Sequence, residues 1–312
     1  MIQRIKAEIH KGVIGHEELV DGMLIALLAG GHILVEGPPG VAKTTAVNTL
    51  ARVLGLSFHR IQFTPDLLPA DITGGEILDL EHKRFSVRKG PIFTHLLLAD
   101  EINRSGPKVQ SALLEAMAER QVTLGERSYA LDDPFMVLAT ANPIDQEGTY
   151  DLPEASLDRF MLKLSVGYNS EKEEFDIIRQ AADGAFEPVS PILDREGLLE
   201  LKAALREIHV DDEILRYLLA IVRATRDAAE ILDAESASLI AYGAGPRGSI
   251  DLYRAARARA FLEGRDFVTP GDVARMSYPV LRHRLILEYR AERERIDADA
   301  ILRRILEKIP AP

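Results

Sequence analysis

The spacing of apolar positions changes near residue 170. Before it, short and nearly continuous apolar runs alternate with stretches of helical period; after it only helical spacing recurs. Ile33–Glu36, Ser57–Phe63, Leu96–Ala99 and Phe135–Ala141 read as strands. Leu96–Ala99 is apolar at every position, the pattern of a strand buried on both faces. Lys43 to about Leu54 and Pro107–Ala118 read as helices, with Gly55 placed to stop the first. In MLIALLAGGHILVEG, Gly30, Gly31 and His32 interrupt the apolar run, which predicts a helix end followed by a buried strand. Strands alternating with helices predict a parallel sheet with crossover helices.

Two segments break this alternation. About 76–88 and about 121–131, the latter around Gly125, read as hairpins, either surface decorations or functional insertions. Ser170 and Glu173 form a capping-box signature, and Gly184 can end that helix. Further helices are expected over Arg195–Ile208, Asp212–Leu232, Ser249–Leu262 and Pro270–Leu281, the last opened by Thr269–Pro270. The expected organisation is an α/β domain over 1–167 and an all-helical domain over 168–312.

Composition narrows the function. A length of 312 residues fits one large domain or two ordinary ones. A formal charge of −11 weighs against general nucleic-acid binding, which calls for a basic stripe. The absence of cysteine excludes disulfides and cysteine-based metal or redox sites. The first residues lack the apolar core of a signal peptide, and no apolar run approaches the roughly 18 residues of a membrane span. A cytoplasmic location with no membrane partner is expected. The eight histidines show no HExxH pair, so no zinc site is expected. Arg282, His283, Arg284, Arg290, Arg293 and Arg295 interleave with Glu288, Glu292 and Glu294, which reads as a solvated helix face.

The chemistry concentrates at the expected strand ends. GPPGVAKTT comprises Gly37, Pro38, Pro39, Gly40, Val41, Ala42, Lys43, Thr44 and Thr45, and stands between a strand and a helix, as a phosphate-binding P-loop does. Its glycines let backbone N–H groups approach phosphate oxygens, beside the positive end of the helix. Lys43 would reach the β- and γ-phosphates of ATP and the Thr44 hydroxyl would bind Mg²⁺. The general pattern places Gly before the Lys; here Ala42 stands there. HLLLADEINRS ends a strand in Asp100 and Glu101, at the edge where the P-loop lies. Asp100 suits the Mg²⁺ shell, and Glu101 suits polarising an attacking water. Asn142, ending FMVLATANP, can orient that water without adding charge; the alternative is an ordinary Asn-Pro turn. Arg159 in LPEASLDRF and Arg247 in GAGPRGSID could supply positive charge to the phosphates, or form surface ion pairs.

The order GPPGVAKT, LLLADEINR, ATANP, LPEASLDRF, GPRG resembles the Walker A, Walker B, sensor 1, arginine-finger and sensor 2 order of AAA+ ATPases. QFTPDLLPADITG, DEINRSGPKVQSALLEAMAERQVT and QEGTYDLPEASLDRFM are similar to segments of the MoxR family, a helix-2-insert group related to the magnesium-chelatase AAA+ subunit. VIGHEELVDGMLIALLAGGHILVEGPPG matches that family's N-terminal stretch, and the likeness covers about residues 10–290. Ala42 before the Lys is common in it.

The resemblance implies an α/β P-loop NTPase core followed by a smaller helical lid, with ATP and Mg²⁺ bound between them. It implies a ring, usually hexameric, in which Arg159 acts on a neighbour's ATP and Arg247 on its own subunit's. Ile14 and Gly15 would lie near the adenine. The hairpin at 76–88 would be the helix-2 insert and that at 121–131 the pre-sensor-1 hairpin, both facing the pore or a protein client. Arg104 would be a second trans arginine or an intersubunit contact. The function implied is chaperone-like remodelling or maturation of enzyme complexes, including metal-cofactor insertion, with a separate von Willebrand factor A domain partner. The alternatives are a chelatase-type or nucleic-acid-associated AAA+ motor and a non-hydrolysing nucleotide switch. The intact Asp100, Glu101, Asn142 and Arg159 set favours hydrolysis.

Overall fold

The computed structural model describes residues 1–79, 84–142, 149–182 and 187–312. Their contacts form two compact units, Met1–Leu152 with Leu164–Leu199, and Pro153–Lys163 with Glu200–Pro312.

In the first unit, α1 (Ile2–Gly12) buries Ile2, Ile5 and Ile9, spaced three and four apart on one face. Helix α2 (Glu17–Ala29) is buried along most of its length. Gly30 stops it at φ 73°, and the Gly31 N–H closes the turn onto the Ala26 carbonyl at 2.8 Å. The chain then alternates β1 (Ile33–Glu36), α3 (Lys43–Val53), β2 (Phe58–Gln62) and α4 (Pro69–Thr73). β3 (Gly74–Asp79) and β4 (Arg84–Lys89) form an antiparallel hairpin whose tip, 80–83, lies outside the described residues. β5 (Leu96–Asp100) and α5 (Pro107–Glu119) precede a second hairpin, β6 (Gln121–Leu124) with β7 (Arg127–Ala130). β8 (Met136–Ala141) completes the central strands.

The second unit takes in α6 (Glu154–Leu157), while β9 (Leu162–Ser165) leads back to the sheet. The sheet order is β2-β5-β8-β1-β9, and the pairs β2–β5, β5–β8 and β1–β8 are parallel. β5 and β8 are buried on both faces up to their last residues, as the unbroken apolar runs predict.

The units do not divide at residue 167. Val166 N–H donates to the Glu36 carbonyl at 2.8 Å, Ile192 N–H to Val53 at 2.7 Å, and Ser190 N–H to the Glu8 carboxylate at 2.7 Å. These bonds keep α7 (Glu171–Ala182) and the chain to Leu199 with the sheet. Ser170 and Glu173 cap α7 reciprocally; Gly184, its expected end, lies outside the described residues.

The second unit contains α8 (Arg195–Leu205) from residue 200 on, α9 (Asp212–Ala224), α10 (Ala234–Ala237), α11 (Pro246–Leu262), α12 (Pro270–Leu281), α13 (Tyr289–Arg293) and α14 (Ala298–Lys308). It is helical but not purely so: β10 (Ile240–Tyr242) pairs antiparallel with β11 (Ile286–Leu287). Such short strands are too brief for a period to show. α11 begins at Pro246, three residues before the expected start, because Pro is favoured in a helix's first turn. The basic run beyond α12 is a solvated face only in part: Arg290, Arg293 and Arg295 are exposed, whereas His283 and Arg284 are buried.

His32, ahead of β1, is buried in the sheet unit. Val137 N–H donates to its Nδ1 at 3.0 Å, so the proton belongs on Nε2, which donates to the Met117 carbonyl at 3.2 Å. Burial, helped by the Arg120 cation, lowers its pKa to about 3. Below the ordinary value of about 6.5 the unfolded chain takes up a proton that the folded chain refuses. Stability should therefore fall as pH drops from about 6.5 toward 3, by on the order of 3 kcal/mol at pH 4. Urea unfolding at pH 7 and pH 4 should show this loss in the native chain and a smaller one in His32→Leu. Equal losses in both would remove His32 as the cause.

Candidate functional site

β1 delivers the chain into a loop that has no room for side chains at its base. A Cβ on Gly37 would lie 2.2 Å from the Val166 carbonyl oxygen. Gly40 turns at φ 84°. Ala42 also turns left-handed, at φ 53°, which explains why glycine is the general residue there and costs Ala about 1–2 kcal/mol. α3 then begins at Lys43. The Ala46 N–H is bonded to the Ala42 carbonyl, whereas the N–H groups of a helix's first turn lack intrahelical acceptors. The loop thus offers donors and the positive end of an 11-residue helix to an anion. Lys43 Nζ donates to the Gly37 carbonyl at 2.8 Å. Burial lowers its pKa, while Asp100 and Glu101 push the other way.

The loop lines an open cleft of about 400 Å³ together with Arg60, Gln62, Asp100, Glu101, Thr140 and Asn142. The parallel register pairs Ala99 with Ala139 and so sets Asp100 beside Thr140. Thr140 Oγ1 donates to Asp100 Oδ1 at 2.6 Å and accepts the Glu101 N–H at 2.8 Å. Glu101 leaves the strand left-handed, at φ 56°. Its Oε2 accepts from Gln62 Nε2 at 2.8 Å and pairs with Arg104 Nε at 3.2 Å. Arg60 Nη2 pairs with the other oxygen of Asp100, Oδ2, at 2.6 Å, and also donates to Gln62 at 2.8 Å. Arg104, expected in an intersubunit role, is thus paired with Glu101 of its own chain.

The structure brings together Gly37, Pro39, Gly40, Val41, Ala42, Lys43, Thr44, Thr45, Asp100, Glu101 and Asn142. Pro38, Ile14 and Gly15 do not line the cleft. The Ile14 carbonyl accepts from Asn169 Nδ2 at 3.1 Å, and Gly15 turns at φ 69° against the Asn169 and Glu173 side chains. Arg159 and Arg247 belong to the helical unit. Arg159, half-buried, reaches the Ala155 carbonyl at 3.4 Å, and exposed Arg247 pairs with Asp158 Oδ2 at 3.4 Å.

Arg60, Gln62 and Thr140 were not singled out from sequence. Arg60 and Gln62 sit two apart on β2, the edge strand of the sheet, and both are exposed. That pattern does not announce that this face meets the ends of β5.

The arrangement suits a phosphate chain with a divalent cation. Backbone donors and Lys43 would meet anionic oxygens, while Thr44 and Asp100 could offer hard oxygen ligands. A parallel sheet whose first strand feeds such a loop, with acidic strand ends beside it, is a P-loop nucleoside triphosphatase. Residues 32–162 match the family described as "ATPase family associated with various cellular activities (AAA)", and residues 232–305 match the "AAA lid domain". Chaperone MoxR1 of Mycobacterium tuberculosis is 44% identical over 100% of this chain and 82% of its own. Protein MoxR of Methylorubrum extorquens is 33% identical over 99% and 94%. The crystal structure of a candidate ATPase from Cytophaga hutchinsonii superposes with a TM-score of 0.94 at 45% identity, covering 100% of this chain and 94% of that one. The chain belongs to the MoxR family of AAA+ ATPases and is an ATPase. Among the described residues no helix is long and apolar enough to cross a membrane.

Gly37→Ala must displace the Val166 carbonyl or the loop itself. Titration with a fluorescent ATP analogue should show affinity reduced at least about tenfold, or ~1.4 kcal/mol. Unchanged affinity would mean that the strand edge absorbs the extra methyl.

Proposed function

We propose that this protein hydrolyses ATP with Mg²⁺ to remodel or mature a protein complex in the cytoplasm, as a homo-oligomeric, hexameric ring. The observation that carries the catalytic part is the convergence of Gly37, Pro39–Thr45, Asp100, Glu101 and Asn142 on one cleft. Bound Mg²⁺ would offset charge on the phosphate oxygens, with Thr44 and Asp100 as its protein ligands. Lys43 would exchange the Gly37 carbonyl for the β- and γ-phosphates. Glu101 would accept a proton from the attacking water, Asn142 would orient that water, and Gln62 and Arg104 hold the Glu101 carboxylate. Arg159 would serve the neighbouring subunit's ATP and Arg247 its own subunit's. Ile14 and Gly15 would lie toward the adenine.

The chaperone-like reading rests on the name of the mycobacterial relative and on the two hairpins. β3–β4 exposes Ile77, Leu78 and Phe85, a surface suited to a protein client. The hairpins also touch: the Glu76 carboxylate lies against Gly125, and Lys89 stands over the rings of Phe93 and Tyr129, 4.7 and 5.8 Å from their centres. A von Willebrand factor A domain protein is the proposed partner.

The deciding experiment follows ATP turnover against protein concentration, with Glu101→Gln beside the native chain. Native turnover per subunit should rise with concentration, and Glu101→Gln should bind ATP but not hydrolyse it. Hydrolysis by Glu101→Gln at the native rate would remove Glu101 as the base. Arg159→Ala should bind ATP normally and lose turnover by roughly 10³-fold or more. Normal hydrolysis by that variant would reject its role.

A further inference from the structure

The segment that carries Arg159 is held by buried donors of its own unit. α6 ends at Leu157 and β9 begins at Leu162, so the carbonyls between them need donors from elsewhere. Arg284 supplies most of these. Its Nε donates to Asp158 Oδ1 at 2.7 Å, and its Nη2 donates to the carbonyls of Asp158 at 3.1 Å and Phe160 at 3.0 Å. Nη1 reaches the Met161 carbonyl at 3.4 Å and that of Val280, in α12, at 2.7 Å. His283, kept neutral by burial, adds a bond from Nε2 to the Phe160 carbonyl at 2.9 Å. Phe160 itself is fully buried.

The same guanidinium is also anchored to a helix. Nη2 donates to Asp251 Oδ2, on α11, at 2.6 Å. Arg284 is only 5% exposed, so its hydrogen bonds are little diluted by water. One guanidinium therefore joins α11, α12 and residues 158–161. Arg247, one helical turn before Asp251, also reaches Asp158 Oδ2, but at 3.4 Å. The two arginines assigned to phosphate chemistry thus meet at Asp158, one as its next residue and one as its ion-pair partner.

We propose that Arg284 is a positioning residue for Arg159. By fixing the backbone on both sides of Arg159, at Asp158 and Phe160, it sets the direction in which that side chain projects. The inference rests on the reading of Arg159 as the arginine supplied to a neighbouring subunit. Arg284 touches no nucleotide in this scheme; its effect passes through Arg159 alone.

The test compares full-length Arg284→Met, Asp158→Asn and Arg159→Ala, each alone and mixed with excess Glu101→Gln. Arg284→Met should keep ATP affinity and KM within about threefold while kcat falls by about 100-fold, the scale of a 1 Å misplacement. Asp158 is partly exposed, so Asp158→Asn tests the same link from a site that tolerates change, with a smaller fall in kcat. Glu101→Gln subunits are inactive but carry an intact Arg159. Mixing should therefore restore turnover at Arg284→Met and Asp158→Asn sites, as at Arg159→Ala sites. A purely structural fault within the Arg284→Met subunit would not be repaired by its neighbours. If mixing restores Arg159→Ala but not Arg284→Met, or if Arg284→Met and Asp158→Asn turn over like the native chain, the inference fails. Should Arg284→Met not fold, Asp158→Asn in the same mixtures decides. Normal hydrolysis by Arg159→Ala alone, or a loss that no mixing restores, would instead overturn the reading of Arg159 and take the inference with it.

Discussion

Thr140 Oγ1 lies between two carboxylate-bearing residues, donating to Asp100 and accepting the Glu101 N–H. That pair of bonds exists only in one register of β5 on β8. A shift by one residue would turn every side chain of β5 to the other face and carry Asp100 out of the cleft. Both strands are buried up to their last residues, so slipping β5 inward would draw the Asp100 carboxylate toward the core at a desolvation cost. The hydrophobic core therefore does more than hold the sheet together. It decides which polar atoms meet at its carboxyl edge, where β1 also releases the phosphate loop.

The loop shows the same dependence from the other side. Gly37 is buried against the Val166 backbone, so β1 and the chain after β9 can approach only where no Cβ intervenes. A few residues on, Ala42 accepts a left-handed turn that glycine would take freely. The strain is small beside the stability of a domain, and α3 begins at once, which fixes the turn from the helical side.

Most of this was legible in the sequence for physical reasons. Buried parallel strands must be continuously apolar, and a phosphate loop must carry glycines between strand and helix, so β1, β5, β8 and α3 announce themselves locally. What escaped was set by partners far along the chain. Arg60 and Gln62 look like solvent-facing residues of an edge strand until β5 ends beside them with Asp100 and Glu101. The two-residue strand β11 has no period to detect. Residues 168–199 read as the start of a helical domain, yet the Glu8 and Val53 bonds hold Ser190 and Ile192 with the sheet.

The run Arg282–Arg284 is the sharpest case, because charge alternation normally marks a wet surface. Burying a guanidinium is costly, and a well-packed apolar residue is often no worse for stability. That exchange is closed here, because the groups facing Arg284 include backbone carbonyls of Asp158, Phe160 and Met161, which no substitution can delete. An apolar side chain would take the Arg284 donor from all three, leaving Phe160 with only His283 and Asp158 with only the longer Arg247 contact; a buried acceptor left unpaired costs about 1–3 kcal/mol. Lysine offers three donors on one point, whereas the planar fork of arginine reaches several acceptors in fixed directions. The irregular path of residues 158–161 therefore favours an arginine at 284. The path is irregular where it carries Arg159, so a buried cation far along the sequence becomes part of how an exposed one is aimed.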